Sequence, residues 1–576
     1  MNKTERRETM LRKRFFIASS FSIYGGVSGL YDLGPLGTSL KNQILRVFRD
    51  IFCKDLFEIE STILTPYQVL KASGHIDKFC DILLFDSVNG ECYRADHYLK
   101  EELEKLDKNE EIDKMIEKLE CMSLEEIDKV VEDYKILSKE KNNLSKAQRF
   151  NLMFETFVGP KKKNLIFLRP ETAQGQFVNF KKVYELNSEK LPFGTFSIGK
   201  AFRNEISPKN GLLRVREFEQ AEIEYFLDED KKEHKGYDSV KETELTFLYG
   251  KEKQVEEKMK ISVALERKII DNSALAFFIG KAAEFFTRIG IKNFRMRQHM
   301  QDEMAHYACD CWDVEVFTSY GWIECAGIAD RSTYDVKKHI EHSKNDLYAR
   351  EQLKEPIEIE EFVPVIEKNI LGKKLKNKLK DFIAEIELLS QDYIKNNLKD
   401  DHLLFNFEGE EYKVKFILEK KKKYVREIIP NVIEPSFGIG RILYSLIEEV
   451  FECRDEEKNV LNLNPEVAPY QLAILSVINN MPPEIKDIIE NLEKDLSFVR
   501  ISNIMLKGTI GKKYSIADEI GIPFCITVDE ESISDKQITI RERNSTQQIR
   551  VEIEGIEKTM KDLIDGKWNE YKNYLV

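Results

Sequence analysis

The sequence predicts a multidomain α+β chain that closes on a separate α/β domain, and three observations lead there. A hairpin pattern fills Phe202 to Phe226, "FRNEISPKNGLLRVREFEQAEIEYF". Charged, polar stretches interrupt the strand-forming segments at three places. After "NPEVAPYQLAILSV", strand and helix patterns alternate over roughly a hundred residues, the size of one domain. A chain of 576 residues is too long for one core, so two or three domains are expected.

In chain order, "MNKTERRETMLRKRFF" reads as a capped surface helix; it lacks an apolar core segment, and Glu5 and Glu8 count against an organellar transit peptide. "YGGVSGLYDLGPLG" (Tyr24 to Gly37) is a turn-rich loop. "LKNQILRVFRDIF" has helical spacing, and "LFEIESTILTP" reads as one strand ending at Pro66, closing a first segment at residues 1–96. Residues 97–148, with "LKEELEKLDKNEEIDKMIEKLE", form an inserted hairpin of charged amphipathic helices. Strands return over 149–227. Residues 228–290 read as a second insertion, polar and largely helical; 291–334 are core-like; 335–425, rich in Lys and Glu, are a third insertion in a chain whose insertions are expected to be helical. Residues 426–460 hold "VIEPSFGIGRILYSLIEEVF", a strand running into a helix, and 468–576 are the C-terminal domain, ending in an amphipathic helix.

Hydrophobic content of 42% and charged content of 33% fit a soluble globular protein. A net charge of −13 argues against a general DNA coat or a membrane-surface protein, but leaves room for a local nucleic-acid patch. Nine cysteines, without a CxxC or a regular framework, indicate reduced thiols in the cytosol or nucleus. No apolar run approaches the ~18 residues that span a bilayer.

Within the hairpin, strand periodicity puts Arg203 and Glu205 on one face. "SPKNG" (Ser207 to Gly211) is turn chemistry. On the return, Arg214, Arg216, Phe218, Gln220 and Glu222 share one side; Val215, Ala221, Ile223 and Tyr225 take the other, with Glu217 and Glu219. Such a row is either a solvated charged face or a template for an extended polar ligand. In "EPSFGIGRIL", Gly438 and Gly440 flank a strand-to-helix junction with Arg441 in the first helical turn. That arrangement suits a phosphate or a base, or is simply a packing glycine pair. In "LRPETAQGQF", Thr172 and Gln174 flank a helix start, and Glu171 is placed to catch an ammonium or to serve the helix dipole. His299, His306, Cys309 and Cys311 are zinc-capable types, but H-x6-H-x2-C-x-C is not a structural zinc spacing. Cys309 and Cys311 therefore read as a reduced buried pair on one strand face. "GWIECAGIADRSTYD" puts Glu324 on a strand and Asp330 at a helix cap.

Taken together, F-R-x-E with R-x-x-x-F (Arg214 to Phe218), the strand ending at Pro66, and G-I-G-R (Gly438 to Arg441) resemble motifs 2, 1 and 3 of the class II aminoacyl-tRNA synthetases. With "GGVSGLYDLGPLG", "SGHIDKF", "GECYRADH", "RPETAQG" and "NVIEPSFGIGR", the chain resembles the glycyl-tRNA synthetases of the eukaryotic and archaeal type over nearly its whole length. The resemblance implies an antiparallel sheet flanked by helices, helical insertions, and an α/β anticodon-binding domain. It implies ATP-dependent ligation of glycine to its tRNA through glycyl-adenylate, with Mg²⁺ and without zinc. It implies a cytoplasmic homodimer with no membrane association. Carried over residue by residue, Arg203, Glu205 and Arg441 are catalytic. Arg203, Asn204, Glu205, Arg214, Val215, Phe218, Glu324, Cys325 and Arg441 bind ATP, Glu324 also helping to hold Mg²⁺. Glu171, Glu222, Glu434, Pro435 and Ser436 surround glycine. A binding-only relative of this fold has no need of Arg203, Glu205, Arg214, Phe218 and Arg441 together. "RPETAQG" with "EPSFGIGR" argues against a proline or threonine enzyme.

Overall fold

The computed structural model describes every residue except 1, 107–109, 120, 121, 161, 162, 207, 209, 210, 306, 479 and 505. The chain divides into two compact units. The larger comprises Met1–Asn187, Leu191–Leu347 and Pro430–Val576; the smaller, Ser188–Lys190 and Tyr348–Ile429.

The larger unit is organised by one sheet. Its strands, in chain order, are β1 (Leu56–Glu58), β2 (Phe193–Phe202), β3 (Glu217–Leu227), β4 (Glu244–Tyr249), β5 (Val255–Lys260), β6 (Phe294–Gln298), β7 (Asp310–Thr318), β8 (Gly321–Asp330) and β9 (Asn431–Gly438). They lie in the order β5-β4-β6-β7-β8-β9-β3-β2-β1. All neighbours are antiparallel except β1 with β2 and β4 with β6. Three helices pack on one face: α1 (Pro35–Phe52), α2 (Ser273–Ile289) and α3 (Ile439–Val450). Phe48 and Phe52 of α1 and Phe285 of α2 close around Phe437 of β9, with centroids 5.1–5.5 Å from that ring. Strand alternation sends the neighbours of these core residues the other way. On β3, Ala221, Ile223, Tyr225 and Leu227 enter the core. On β9, Ile433 and Phe437 do the same. The opposite face of both strands is left for polar side chains.

Several expectations change. "LFEIESTILTP" is two strands, β1 and Leu64–Pro66, in different sheets: β1 joins β2, whereas Leu64–Pro66 joins Asn164–Leu168. Residues 24–37 are less irregular than expected, with a short strand at Tyr31–Leu33 and α1 starting at Pro35. The segment 97–148 holds three helices rather than a two-helix hairpin, Ala95–Leu103, Glu110–Lys118 and Leu124–Asp133; Ser123 and Glu126 start the last with a reciprocal capping box. Residues 228–290 are no polar appendage. They supply β4 and β5, and α2, "SALAFFIGKAAEFFTRI", is apolar on nearly all sides and buried accordingly. The smaller unit is led by strands, not helices: Ala349–Val365 pairs with Glu410–Ile428, and cross-strand Glu–Lys contacts such as Glu361 with Lys423 line the hairpin.

The N-terminal helix Lys3–Lys13 is capped by Asn2, as its sequence predicts, but one side is buried: Arg7 inserts against Tyr444 of α3 and pairs with Glu448 at 3.1 Å. At the other end, Leu472–Ser476, Phe524–Val528, Gln537–Glu542 and Gln548–Glu552 form a four-stranded sheet. Helices Pro483–Asp495, Ile510–Glu519 and Ile556–Ile564 accompany it; the last is the expected amphipathic helix, burying Ile556, Met560 and Leu563, and a 3-10 turn, Trp568–Tyr574, follows it. Asp518 joins this sheet to the rest of the unit, accepting from Arg541 at 2.8 Å and from Arg454 at 2.7 Å.

Candidate active site

The polar face of β3, β8 and β9 floors a cavity of about 270 Å³. One end is rich in arginine and aromatic groups. Arg203 follows β2 directly, its guanidinium held between the rings of Phe79 and Phe218, 5.3 Å from each centroid, while Nε donates to the Pro170 carbonyl at 3.3 Å. Arg214 lies 3.8 Å from Glu205. Arg441, in the first turn of α3, donates to the carbonyls of Leu213 and Glu324, both at 3.0 Å, and lies 3.5 Å from the Glu324 carboxylate. Gly438 and Gly440 are not packing glycines: an added methyl would meet protein atoms no closer than 3.6 Å, and both residues line the cavity.

The expected row along the hairpin holds only in part. β3 begins at Glu217, and Phe218, Gln220 and Glu222 line the cavity as predicted, although Glu219, expected on the opposite side, borders it too. Before it, Gly211–Leu213 is a 3-10 turn, which breaks the period of two. Arg214 and buried Val215 therefore both line the cavity, whereas Arg216 turns away and donates to the carbonyls of Glu205 and Ser28 at 3.0 and 2.9 Å. That contact explains part of the glycine-rich loop: Gly29, at φ +79, brings its own carbonyl to the Arg216 amide, and a side chain there would strike Pro208. Ser207, Lys209 and Asn210 of the predicted turn lie outside the described residues.

The other end is acidic and buried. Glu222 accepts from the Thr172 amide at 2.7 Å and from the hydroxyls of Thr172 and Ser436, the latter at 2.9 Å. Glu171 lies 3.2 Å from His75 and accepts from Gln174 at 2.9 Å. Arg331, fully buried, donates twice to Asp335 and once to Glu434, and stacks 3.9 Å from the Tyr307 ring centroid. Burial raises the Glu171 carboxyl, but His75, Arg331 and Gln174 outweigh it and hold the group well below the usual carboxylate range. Burial, and then the Glu171 charge, raise Glu222. Glu434 is pushed up to about 8 by burial, with Glu222 and Glu171 opposing the pull of Arg331.

On a side wall, His299, Cys311 and Asp313 bring their donor atoms within 4.8 Å of one another. His299 already pairs with Asp313 at 2.9 Å, and Arg297 lies 3.6 Å from the same carboxylate, so that carboxyl is engaged by protein groups, while burial pushes it up to about 6. Burial lowers the His299 imidazole, and Asp313 more than restores it. Cys309 and Cys311 are not a buried pair: Cys309 precedes β7 and is exposed, while Cys311 is half-buried. His306 lies outside the described residues. Asp330 caps no helix; it ends β8 and accepts from Lys232, Asn272 and Asn431, while Thr333 precedes the helix Tyr334–Ser343.

Residues 156–450 match the class II core domain of tRNA synthetases (G, H, P, S and T), and 471–563 match an anticodon binding domain. The chain is 47% identical to a glycine–tRNA ligase of Encephalitozoon cuniculi, over 98% of each protein. It is 40% identical to a glycine–tRNA ligase of Methanocaldococcus jannaschii, over 96% of this chain and 97% of that one. It belongs to the glycine–tRNA ligase family. A Giardia lamblia prolyl-tRNA synthetase solved with prolyl-adenylate shares the fold at TM-score 0.54 and 12% identity, covering 99% of this chain and 81% of that one.

Of the residues carried over from the ligase family's motifs, Arg203, Glu205, Arg214, Val215, Phe218, Glu324, Cys325, Arg441, Glu171, Glu222, Glu434 and Ser436 all line this one cavity. Asn204 and Pro435 do not: the Asn204 amide pairs with the Leu152 carbonyl, and Pro435 is a buried strand residue opposite Ile328. Reading the motifs missed Arg331 and Tyr307. A signal was present, since Arg331 directly follows the apolar run "CAGIAD", and a cation buried beside such a strand must find acids.

Proposed function

We propose that the chain activates glycine with ATP and transfers it to a glycine-accepting tRNA. The observation that carries this reading is the acidic end of the cavity, where Glu222 is fixed by Thr172 and Ser436 beside Glu171. An amino acid without a side chain offers only its ammonium and carboxylate to grip. Buried carboxylates suit the first, and a packed wall around Ser436 excludes anything larger. The glycine carboxylate attacks the α-phosphorus and pyrophosphate leaves. Such a displacement needs alignment and charge neutralisation rather than a covalent catalyst. In this reading Arg203 holds the α-phosphate and Arg214 the γ-phosphate. Phe218 and Arg441 take the two faces of adenine, and Asn204, Glu205, Val215 and Cys325 border the nucleotide. Glu434 steadies Arg331 behind the amino acid, and Pro435 stiffens the strand between Glu434 and Ser436. Mg²⁺ takes one or two carboxylates together with phosphates, and Glu324, 56% exposed at the cavity mouth, fits as that carboxylate. Mg²⁺ there would neutralise phosphate charge.

The deciding experiment is ATP–pyrophosphate exchange with each amino acid in turn. Exchange with glycine alone is expected; exchange with another amino acid instead would overturn the assignment. Glu222→Gln is expected to raise the glycine KM about 10–100-fold, the worth of one charged hydrogen bond, with the ATP KM unchanged. An unchanged glycine KM would make Glu222 an ordinary strand carboxylate.

The C-terminal match supports tRNA recognition by residues 468–576, with 97–148 and 335–425 as additions to a catalytic core. We also read the protein as a cytoplasmic homodimer. Among the described residues no helix is long and apolar enough to cross a membrane, and the cysteines are unpaired. The apolar side of α1 is spent on the core and offers no surface to a partner. Ile63, Leu64, Phe157 and Val158, on or beside the small sheet containing Leu64–Pro66, remain 38–47% exposed and offer a patch instead. Sedimentation at micromolar concentration is expected to show a dimer; a monomer would refute it.

A further inference from the structure

Glu224 lies two residues beyond Glu222 on β3, on the same strand face but behind the cavity wall, and it is completely buried. Neither of its carboxyl oxygens meets a donor among the described residues. Its surroundings can be enumerated. Thr195 of β2 lies directly opposite, its hydroxyl donated to Gln176 at 2.6 Å. The register of β3 against β9 sets Glu222 beside Ser436, which brings Glu224 level with Glu434. The charged groups that face it are Glu222 on its own strand, Glu434 on β9, Arg331 after β8, and Asp335 on the helix Tyr334–Ser343. Arg331 is already committed to Asp335 and Glu434. Glu222 already has Thr172 and Ser436. Glu224 is thus the acid in this group that no donor serves, set between two other carboxyls, where a second unpaired charge is prohibitively costly.

We propose that Glu224 is a positioning residue of the amino-acid pocket that works as a neutral carboxylic acid, its hydroxyl directed at Glu434 across the β3–β9 ladder. A protonated carboxyl gains a donor that a carboxylate lacks. It ties β3 to β9 directly behind Glu222 and Ser436. It also removes one negative charge from the cluster, so that Glu171 and Glu222 keep theirs for the substrate ammonium. Burial first, and then the Glu434 charge, push the Glu224 carboxyl well above its ordinary range, with Arg331 opposing. The proposal rests on the reading of this end of the cavity as the amino-acid pocket, so its test has an arm that needs no turnover.

In that arm, infrared spectra of the full chain and of Glu224→Gln are compared at neutral pH. A carboxylic-acid carbonyl band present in the parent and missing from the variant is expected; no difference in that region would mean an ionised Glu224 and end the proposal. In the kinetic arm, Glu224→Ala is expected to raise the glycine KM about 10-fold, as for one buried hydrogen bond, with the ATP KM held. Glu224→Gln, whose amide replaces the hydroxyl donor, is expected to recover most of that loss. A Gln variant as impaired as Ala would mean that a negative charge is required, and would overturn the proposal. The band and the Gln variant decide the matter even where Ala does not fold. Absence of glycine-dependent exchange in the parent would instead sink the amino-acid reading, leaving the infrared result to judge Glu224.

Discussion

Arg203→Ala is expected to lower glycine-dependent pyrophosphate exchange by about 10²–10³-fold, the usual cost of removing one preorganised donor from a site of developing charge. The structure explains why this arginine, rather than its neighbours, should carry so large an effect. Its guanidinium is clamped between two rings and gives only Nε to the protein, so no other nitrogen of the group makes a hydrogen bond among the described residues. Holding the plane still while leaving its outer edge open is the arrangement that a phosphate requires. Arg216, thirteen residues on, makes a fair control, because it turns away from the cavity and gives two of its nitrogens to backbone carbonyls. Its loss should cost stability of the Ser28–Gly29 loop before it costs catalysis. Near-normal exchange by a folded Arg203→Ala would return Arg203 to the status of a surface hairpin charge.

Arg331→Met should produce the largest change in stability, a loss of about 3–5 kcal/mol, because removing one member of a buried ionic group strands the others. Here those left behind are Asp335 and Glu434, with Glu171, Glu222 and Glu224 close by. Met keeps much of the volume and the contact with Tyr307, so the loss reports charge more than cavity. The measurement is the urea midpoint at constant slope. A shift worth under about 1 kcal/mol would place the cluster with solvent-screened surface pairs instead.

What could be read in advance, and what could not, follows physical lines. The alternation of Phe218, Gln220 and Glu222 against Ala221, Ile223 and Tyr225 was legible because strand periodicity is local. So was the junction at Gly438 to Arg441. The divergence of Arg214 from Arg216 was not, since it depends on a 3-10 turn that only the packing of Leu212 and Leu213 reveals. Residues 228–290 were misjudged because the charged run before α2 masked an apolar helix and two amphipathic strands. Arg331 was overlooked because, apart from Asp335 four residues on, the acids around it, Glu434 and Glu171, lie more than a hundred residues away in either direction. Burial of that kind is a property of the assembled sheet, not of any window of sequence.

The sheet order also bears on how such a chain survives its own synthesis. β9 leaves the ribosome after every other strand of the nine, yet it takes a place in the interior, between β8 and β3. Until residue 438 is made, β8 and β3 lack the strand that joins them, and their facing backbone edges have no partner. Exposed edges of this sort invite pairing with other nascent chains. The short interval between release of the small unit and docking of β9 is therefore the moment at which chaperone binding would matter most. Truncations ending before Asn431 should precipitate rather than accumulate as folded halves.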